Sequence, residues 1–382
     1  MAETGNSKLG NLAGLGQSVW LDSLSRAMLD SGELAGYLSK AISGVTSNPT
    51  IFAKAMLSGD SYDAQVGEMV ARGASIDEVY TAVVTSDIRR ACEVMEPVYR
   101  RTGGLDGFVS VEVSPELAHD AAPTVAEARD WVKRVNRPNL LIKVPATREG
   151  IGAIEDLTAE GISVNVTLIF SLRRYRSVMD AYFGGLERFE KAGGDLGTVN
   201  SVASFFVSRF DTEVDARLVS IGTPAALALR GRAAVANARV AYLEFLRAFS
   251  SARWYRLRRA GANVQKPLWA STSTKNPAYS DTLYIDTLVA PETVNTLPES
   301  ALAAYEDRGP ASPTVLGINE LNDAVLVLDD LASVGVDYDD VTAKLEQQGV
   351  AGFVSSFRQM IGDIESKRDM LTAIRGEPAP EG

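Results

Sequence analysis

The feature that most constrains this chain is an alternation: short β-rich runs recur along it, each separated from the next by a segment long enough to hold a crossover helix. The runs are residues 19–22, 44–47, 108–113, 139–144, 163–169, 198–203, 266–271 and 282–288. Tight hairpins join antiparallel neighbours, whereas separations of this length imply parallel pairing and an α/β fold. Eight such units in one chain suit a closed (β/α)8 barrel better than an open sheet. With 382 residues, 46% of them hydrophobic, the chain can bury one large core. The expected organisation is a single barrel domain over residues 19–375, a flexible segment at 1–18, and a frayed tail at 376–382 containing Pro378 and Pro380.

Extra helix is expected in three places. The second crossover (residues 50–107) places Val79, Val83 and Val94 among charged residues, and the sixth (about 210–262) holds a long helical stretch over 233–259 dotted with arginine. A solvated helix face explains that arginine run more simply than an anionic partner does. Residues 317–375 read as C-terminal helices packed on the barrel.

Composition excludes several chemistries. Lys and Arg number 38 against 49 acidic residues, a net charge of -11, which argues against nucleic-acid binding through neutralised phosphates. Cys92 is the single cysteine and His119 the single histidine, so neither an intramolecular disulfide nor a Cys/His zinc cage is expected. His119 lies in an Ala- and Pro-rich stretch and is expected at a surface or loop edge. Catalysis is left to carboxylates, Lys, Tyr and hydroxyls. The opening residues are polar and Gly-rich, so no signal peptide is expected, and no apolar run approaches the roughly 20 residues that span a bilayer. A cytoplasmic location is the expectation.

Polar residues on strands that should be buried carry the most information. In Asn139-Leu140-Leu141-Ile142-Lys143-Val144-Pro145 a lysine sits inside an apolar run. A buried ammonium is costly unless paired or neutralised, and desolvation favours the neutral amine that attacks a carbonyl. A lysine at the strand end snorkelling to water is the alternative. Period-2 alternation sorts Ser110, Glu112 and Ser114 onto one face of the third run, and Ser163, Asn165 and Thr167 onto one face of the fifth. Helices cover the outside of a barrel, so these faces point inward, beside Lys143. Asp22 and Asn48 end the first two runs, where either a helix N-cap or a catalytic position fits.

With these residues in place, a family resemblance is clear. Gly44-Val45-Thr46-Ser47-Asn48-Pro49-Thr50-Ile51-Phe52 resembles the first transaldolase signature. Leu141-Ile142-Lys143-Val144-Pro145-Ala146-Thr147, followed by Glu149-Gly150-Ile151, resembles the active-site lysine signature. Asn165-Val166-Thr167-Leu168-Ile169-Phe170-Ser171 resembles the segment that follows it, and the likeness runs from about Val19 to Asp286. The long connections resemble the extended branch associated with actinobacteria.

The resemblance implies roles for individual residues. Lys143 corresponds to the Schiff-base nucleophile, Asp22 to the acid/base at the C3–C4 bond, and Glu112, with Thr167, to the pair that works through a water during imine formation. Asn48 and Asn165 correspond to the amides that hold dihydroxyacetone oxygens, Ser204 to a hydroxyl-binding serine and Arg209 to a phosphate-binding arginine. Two positions depart from the family pattern. Lys275 stands where a second phosphate arginine belongs, in a segment two residues longer, and a lysine offers a point charge in place of a fork. Ser208 replaces the commoner glycine, which a negative φ tolerates. Phe206 occupies the position that carries tyrosine in fructose 6-phosphate aldolases, favouring transfer of the carbanion over its release.

The activity implied is transfer of a dihydroxyacetone unit from sedoheptulose 7-phosphate to glyceraldehyde 3-phosphate, giving erythrose 4-phosphate and fructose 6-phosphate. That reaction belongs to the non-oxidative branch of the pentose phosphate pathway. It needs neither cofactor nor metal, because the cationic imine supplies the polarisation, and either a monomer or a homodimer would serve. A Schiff-base aldolase releasing free dihydroxyacetone and an idle sugar-phosphate binder are the competing readings.

Overall fold

The computed structural model describes residues 7–57 and 59–375. Eight parallel strands close on themselves in the order β1 (Gln17–Leu21), β2 (Ile42–Val45), β3 (Val109–Glu112), β4 (Leu140–Pro145), β5 (Val164–Ile169), β6 (Ser201–Phe206), β7 (Gln265–Ala270) and β8 (Thr293–Leu297). β8 pairs with β1 over Gln17–Leu21 and completes the ring. The fold is a (β/α)8 barrel.

Strand positions follow burial on two sides. Val109, Val111, Ile142, Val144, Val164 and Val166 are all buried under the surrounding helices, while the intervening residues of β3, β4 and β5 point into the barrel. Helices are cut to length by local signals. Ser171 caps the helix Leu172–Lys191 by accepting from the Arg174 N–H. The buried face of that helix then repeats at Tyr175, Val178, Met179, Tyr182 and Leu186, the spacing of one helical stripe.

Two strand expectations need correction. Residues 282–288 form no strand: Leu283–Asp286 is a single helical turn, with the Thr282 hydroxyl donating to Asp286 Oδ2 at 2.7 Å. The eighth strand lies further on, at Thr293–Leu297, after Pro291 and a left-handed Glu292 (φ 56°) turn the chain inward. The sixth strand is shifted as well. Thr198 ends a 3-10 turn capped by Asp195, so β6 begins at Ser201 and takes Ser204 and Phe206 into the barrel wall.

The opening segment is more ordered than expected over part of its length. Lys8–Gly14 is a helix with Leu9 and Leu12 buried, held through the Leu9 N–H to Glu306 at 3.1 Å. The expected frayed tail, 376–382, falls outside the described residues.

The extra helices lie in the second and sixth crossovers and at the C-terminus. The second crossover contains Pro49–Leu57, Asp63–Ala71 and the long Ile76–Arg101. In the sixth, the stretch read as continuous breaks into Ala233–Ala248 and Ala252–Arg259, because Ser251 caps a new helix. Two of its arginines pair with the neighbouring helix Leu172–Lys191: Arg253 with Glu187, and Arg256 with Glu187 and Glu190. Last comes Tyr338–Arg375, a 38-residue helix lying across the C-terminal mouth of the barrel. Gly349 lets it approach, since a Cβ there would come within 3.0 Å of Leu168 Cδ2. The Thr50–Ser356 hydroxyl bond at 2.8 Å and the Lys367–Asp63 ion pair tie it to the far rim.

Below the mouth, the barrel interior is filled by Trp20. Its indole lies directly on Gly44, where a Cβ would approach Cε2 to 2.4 Å, and its Nε1 donates to Asp106 at 2.8 Å. Gly44→Ala should therefore force Trp20 aside and cost about 1–3 kcal/mol of stability, the usual penalty of overpacking a filled core. Thermal unfolding measures this; an unchanged melting temperature would mean that the interior has slack around Trp20.

Candidate active site

Strand register sets the geometry of the site. Glu112 of β3 is level with Lys143 of β4, which is level with Asn165 of β5. Level residues on neighbouring parallel strands point the same way, so these three side chains stand abreast inside the barrel. Lys143 is 6% exposed and Glu112 7%. The Lys143 Nζ lies 3.3 Å from Glu112 Oε2 and donates to the Ser47 carbonyl, also at 3.3 Å. Snorkelling does not apply, because the lysine is enclosed and held within the barrel. Burial pushes the Glu112 carboxyl up to about 7, against the attraction of Lys143 and with a further push from the Asp22 charge. A carboxyl in that range can both give and take a proton near neutral pH.

A line of hydrogen bonds continues from this trio. Asn165 Nδ2 donates to Ser110 Oγ at 3.0 Å, and Ser204 Oγ donates to Asn165 Oδ1 at 2.7 Å. The Asn165 amide is thus oriented from both ends. Thr167 is fully buried, and its hydroxyl has no hydrogen-bond partner among the described residues. Buried polar atoms are rarely left unpaired, so this hydroxyl is available to a ligand. Just beyond it the strand is irregular: Leu168 adopts φ 57°, and the β5–β6 register slips between Val166 and Ile169.

A cavity of about 380 Å³ opens above these residues at the C-terminal end of the barrel. Asp22, Asn48, Lys143, Thr167 and Ser204 line it. Phe206, Arg209 and Lys275 form another part of its wall. Glu112 and Asn165 lie beneath the lining, each bonded to a residue that reaches it. The ten residues singled out from the sequence are thereby gathered around one mouth, eight on its surface and two directly behind.

Asp22 follows β1, and its Oδ1 accepts from the Thr46 hydroxyl at 2.8 Å. It is not a helix cap; Ser25 fills that role for Arg26–Asp30. Asn48 is one, its Oδ1 accepting from the Ile51 N–H at 3.1 Å, which leaves the amide nitrogen to face a ligand. Arg209, on the helix Ser208–Ile221, has its guanidinium carbon 5.6 Å from the Phe206 ring centre. Burial lowers the basicity of this guanidinium, though an arginine remains charged throughout the physiological range. Lys275 is exposed, with Nζ 3.2 Å from Ser273 Oγ. His119 is exposed at the surface beside Glu149 and takes no part in this cavity.

Three contributors were not foreseen. Thr46 holds Asp22. Lys54, on Pro49–Leu57, adds a fourth basic residue to the cavity wall, and Phe353 of the mouth-covering helix stands with its ring centre 5.4 Å from Lys143 Nζ. Thr46 precedes Asn48 by two residues and could have been found from the strand period. Nothing local marks Lys54 or Phe353, which only the crossover geometry brings to the mouth.

Catalytic groups in barrels of this kind sit at the C-terminal ends of the strands, and the closed barrel with its polar mouth puts this chain among the (β/α)8 enzymes. It matches the family described as Transaldolase/Fructose-6-phosphate aldolase over residues 19–364. It is 53% identical over 360 residues to a transaldolase of Thermobifida fusca, covering 94% of this chain and 97% of that one. Transaldolases of Mycolicibacterium smegmatis and Mycobacterium tuberculosis are each 50% identical, over 366 and 367 residues, covering 95% of this chain and 98% of theirs. The chain belongs to this family, on its transaldolase side, and is an enzyme of the class that transfers aldehyde or ketone residues.

Glu112 offers a direct check on the site. With its carboxyl at about 7, the pH profile of kcat should inflect near neutrality. Glu112→Gln should remove that inflection and lower kcat by about 10²-fold, the scale of one general acid–base contribution. A variant that keeps the wild-type profile would take Glu112 out of the chemistry.

Proposed function

We propose that the enzyme transfers a dihydroxyacetone unit from sedoheptulose 7-phosphate to glyceraldehyde 3-phosphate through a Schiff base on Lys143, yielding erythrose 4-phosphate and fructose 6-phosphate. The observation that carries this reading is Lys143 itself: an enclosed amine on the wall of a polar cavity, 3.3 Å from a carboxyl poised near neutrality. Glu112 is the nearest base for the ammonium proton. The freed amine attacks C2 of the ketose phosphate. Glu112, acting through a water held with Thr167, protonates the departing C2 hydroxyl, and water leaves to give the iminium.

Asp22 then takes the proton of the C4 hydroxyl. The C3–C4 bond breaks, its electrons pass into the iminium, and the aldose phosphate departs from an enamine on Lys143. C3 of the enamine attacks the carbonyl carbon of the incoming aldehyde, Asp22 returns its proton to the new alkoxide, and water adds at C2 to release the product ketose. Asn48, Asn165 and Ser204 hold the dihydroxyacetone oxygens, while Arg209 and Lys275 hold the phosphate.

Phe206 favours transfer over simple aldol cleavage. Its ring packs against Phe170 at 5.2 Å between centres and presents no hydroxyl through which a proton could reach the enamine. The donor's aldehyde end therefore leaves while the enamine persists for a second aldehyde. This activity fits the non-oxidative pentose phosphate pathway in the cytoplasm, carried out by one catalytic domain over residues 19–375. No helix among the described residues is long and apolar enough to cross a membrane.

Borohydride reduction in the presence of fructose 6-phosphate should add the dihydroxyacetone fragment to Lys143 alone. Peptide mass mapping locates the adduct, and label on any other lysine, or full activity in Lys143→Ala, would overturn the mechanism. Asp22→Ala should still be trapped as the adduct while its kcat falls by about 10²-fold or more. Failure to form the adduct at all would move Asp22 to the imine-forming steps.

A further inference from the structure

Arg209 and Lys275 come from different elements. Arg209 lies in the first turn of the helix Ser208–Ile221, whereas Lys275 lies on the segment that leaves β7 and reaches the turn Leu283–Asp286. Two like charges must be kept at a fixed separation to share one phosphate, and their mutual repulsion works against that. The root of the Lys275 segment is tied down: the Ser208 N–H donates to the Ser271 carbonyl at 3.1 Å, and the Thr272 hydroxyl donates to the Thr296 carbonyl at 2.7 Å. Its far end is tied by two tyrosines.

The Tyr279 hydroxyl donates to Asp215 Oδ2, and the Tyr284 hydroxyl donates to Asp211 Oδ2 at 2.7 Å. Asp211 and Asp215 are one turn apart on the very helix that carries Arg209 in its first turn. Their second oxygens are also engaged: Asp211 Oδ1 accepts from the Ala234 N–H at 2.7 Å and Asp215 Oδ1 from the Gly231 N–H at 3.0 Å. The Tyr279 ring lies over Gly231, where a Cβ would come within 2.8 Å of Cζ. Asp211 is 2% exposed and Asp215 9%. Packing alone does not call for this arrangement. Two neighbouring buried carboxylates repel one another and cost desolvation, and apolar side chains would join helix to loop more cheaply. What the carboxylates add is direction: each hydrogen bond fixes the tyrosine tip to a defined point on the helix, as packing of interchangeable apolar surfaces does not.

Taking Arg209 and Lys275 as the phosphate site proposed above, we infer that Tyr279–Asp215 and Tyr284–Asp211 are positioning struts that set the spacing of these two cations. By that means they determine the enzyme's preference for phosphorylated over unphosphorylated aldehydes. Neither tyrosine lines the cavity. The inference rests on the proposed phosphate site and extends it to four residues outside the cavity.

The test compares two acceptors, glyceraldehyde 3-phosphate and glyceraldehyde, on the whole chain with sedoheptulose 7-phosphate as donor, at initial rates. Because the enamine is formed before the acceptor enters, kcat/KM for the acceptor isolates the second half-reaction. Tyr279→Phe keeps the ring on Gly231 and loses only the hydroxyl. It should raise KM for glyceraldehyde 3-phosphate, lowering kcat/KM by about tenfold, and leave kcat/KM for glyceraldehyde within about twofold. Asp215→Ala should behave alike, whereas Asp215→Asn should restore the preference, since its amide can accept from Gly231 and donate to the Tyr279 oxygen. Equal losses on both acceptors, or no change on either, would overturn the struts. Arg209→Ala separates the two levels of the argument. If it discriminates between the acceptors and Tyr279→Phe does not, the strut inference alone falls; if Arg209→Ala fails to discriminate, the phosphate site itself falls with it.

Discussion

The ion pair between Lys143 and Glu112 is the constraint around which the barrel interior is organised. Removing two charges from water costs several kcal/mol for each ion, and attraction repays this only where the geometry is held. Here the holding is done by strand register, which sets both side chains level on adjacent strands. The pair is still not a source of stability. Glu112 titrates in the folded protein at about 7 rather than at its ordinary 4.5, so the folded state retains a proton that the unfolded chain releases. Its contribution to stability therefore falls as pH rises from about 4.5 to about 7 and is level beyond. A fold selected only for stability would place an apolar pair there.

The mouth above that pair is assembled from parts distant in the chain. Strand ends supply Asp22, Thr167 and Ser204, the start of the second crossover supplies Asn48 and Lys54, and the connection after β7 supplies Lys275. The final helix completes it with Phe353. Each part is anchored by polar contacts to another: Thr46 to Asp22, Ser204 to Asn165, Thr50 to Ser356. Such cross-linking keeps a site rigid where its walls are loops, and rigid placement of reacting groups is itself a large share of catalysis.

How much of this was legible in the sequence depended on contrast. On β3 and β5 the polar and apolar faces alternate cleanly, and there the inward direction of Glu112, Asn165 and Thr167 could be read before any coordinates. The lysine inside Leu140–Pro145 stood out for the same reason. The eighth strand offered no such contrast. Thr293-Val294-Asn295-Thr296-Leu297 mixes polar and apolar residues on both faces, and all five are buried. Thr282-Leu283-Tyr284-Ile285, richer in strand-forming types, competed with it and became a helical turn because Tyr284 reaches Asp211 and Thr282 reaches Asp286. Tertiary partners outweighed local propensity. Phe353 was invisible because its meaning depends on where a helix lands, and a landing point leaves no periodic trace.

The helix Tyr338–Arg375 follows all eight strands in the chain. Synthesis from the N-terminus therefore delivers every strand, and with them Lys143, before the segment that roofs the mouth. The enclosure of Lys143 is therefore completed by a segment that lies later in the chain than every strand it covers.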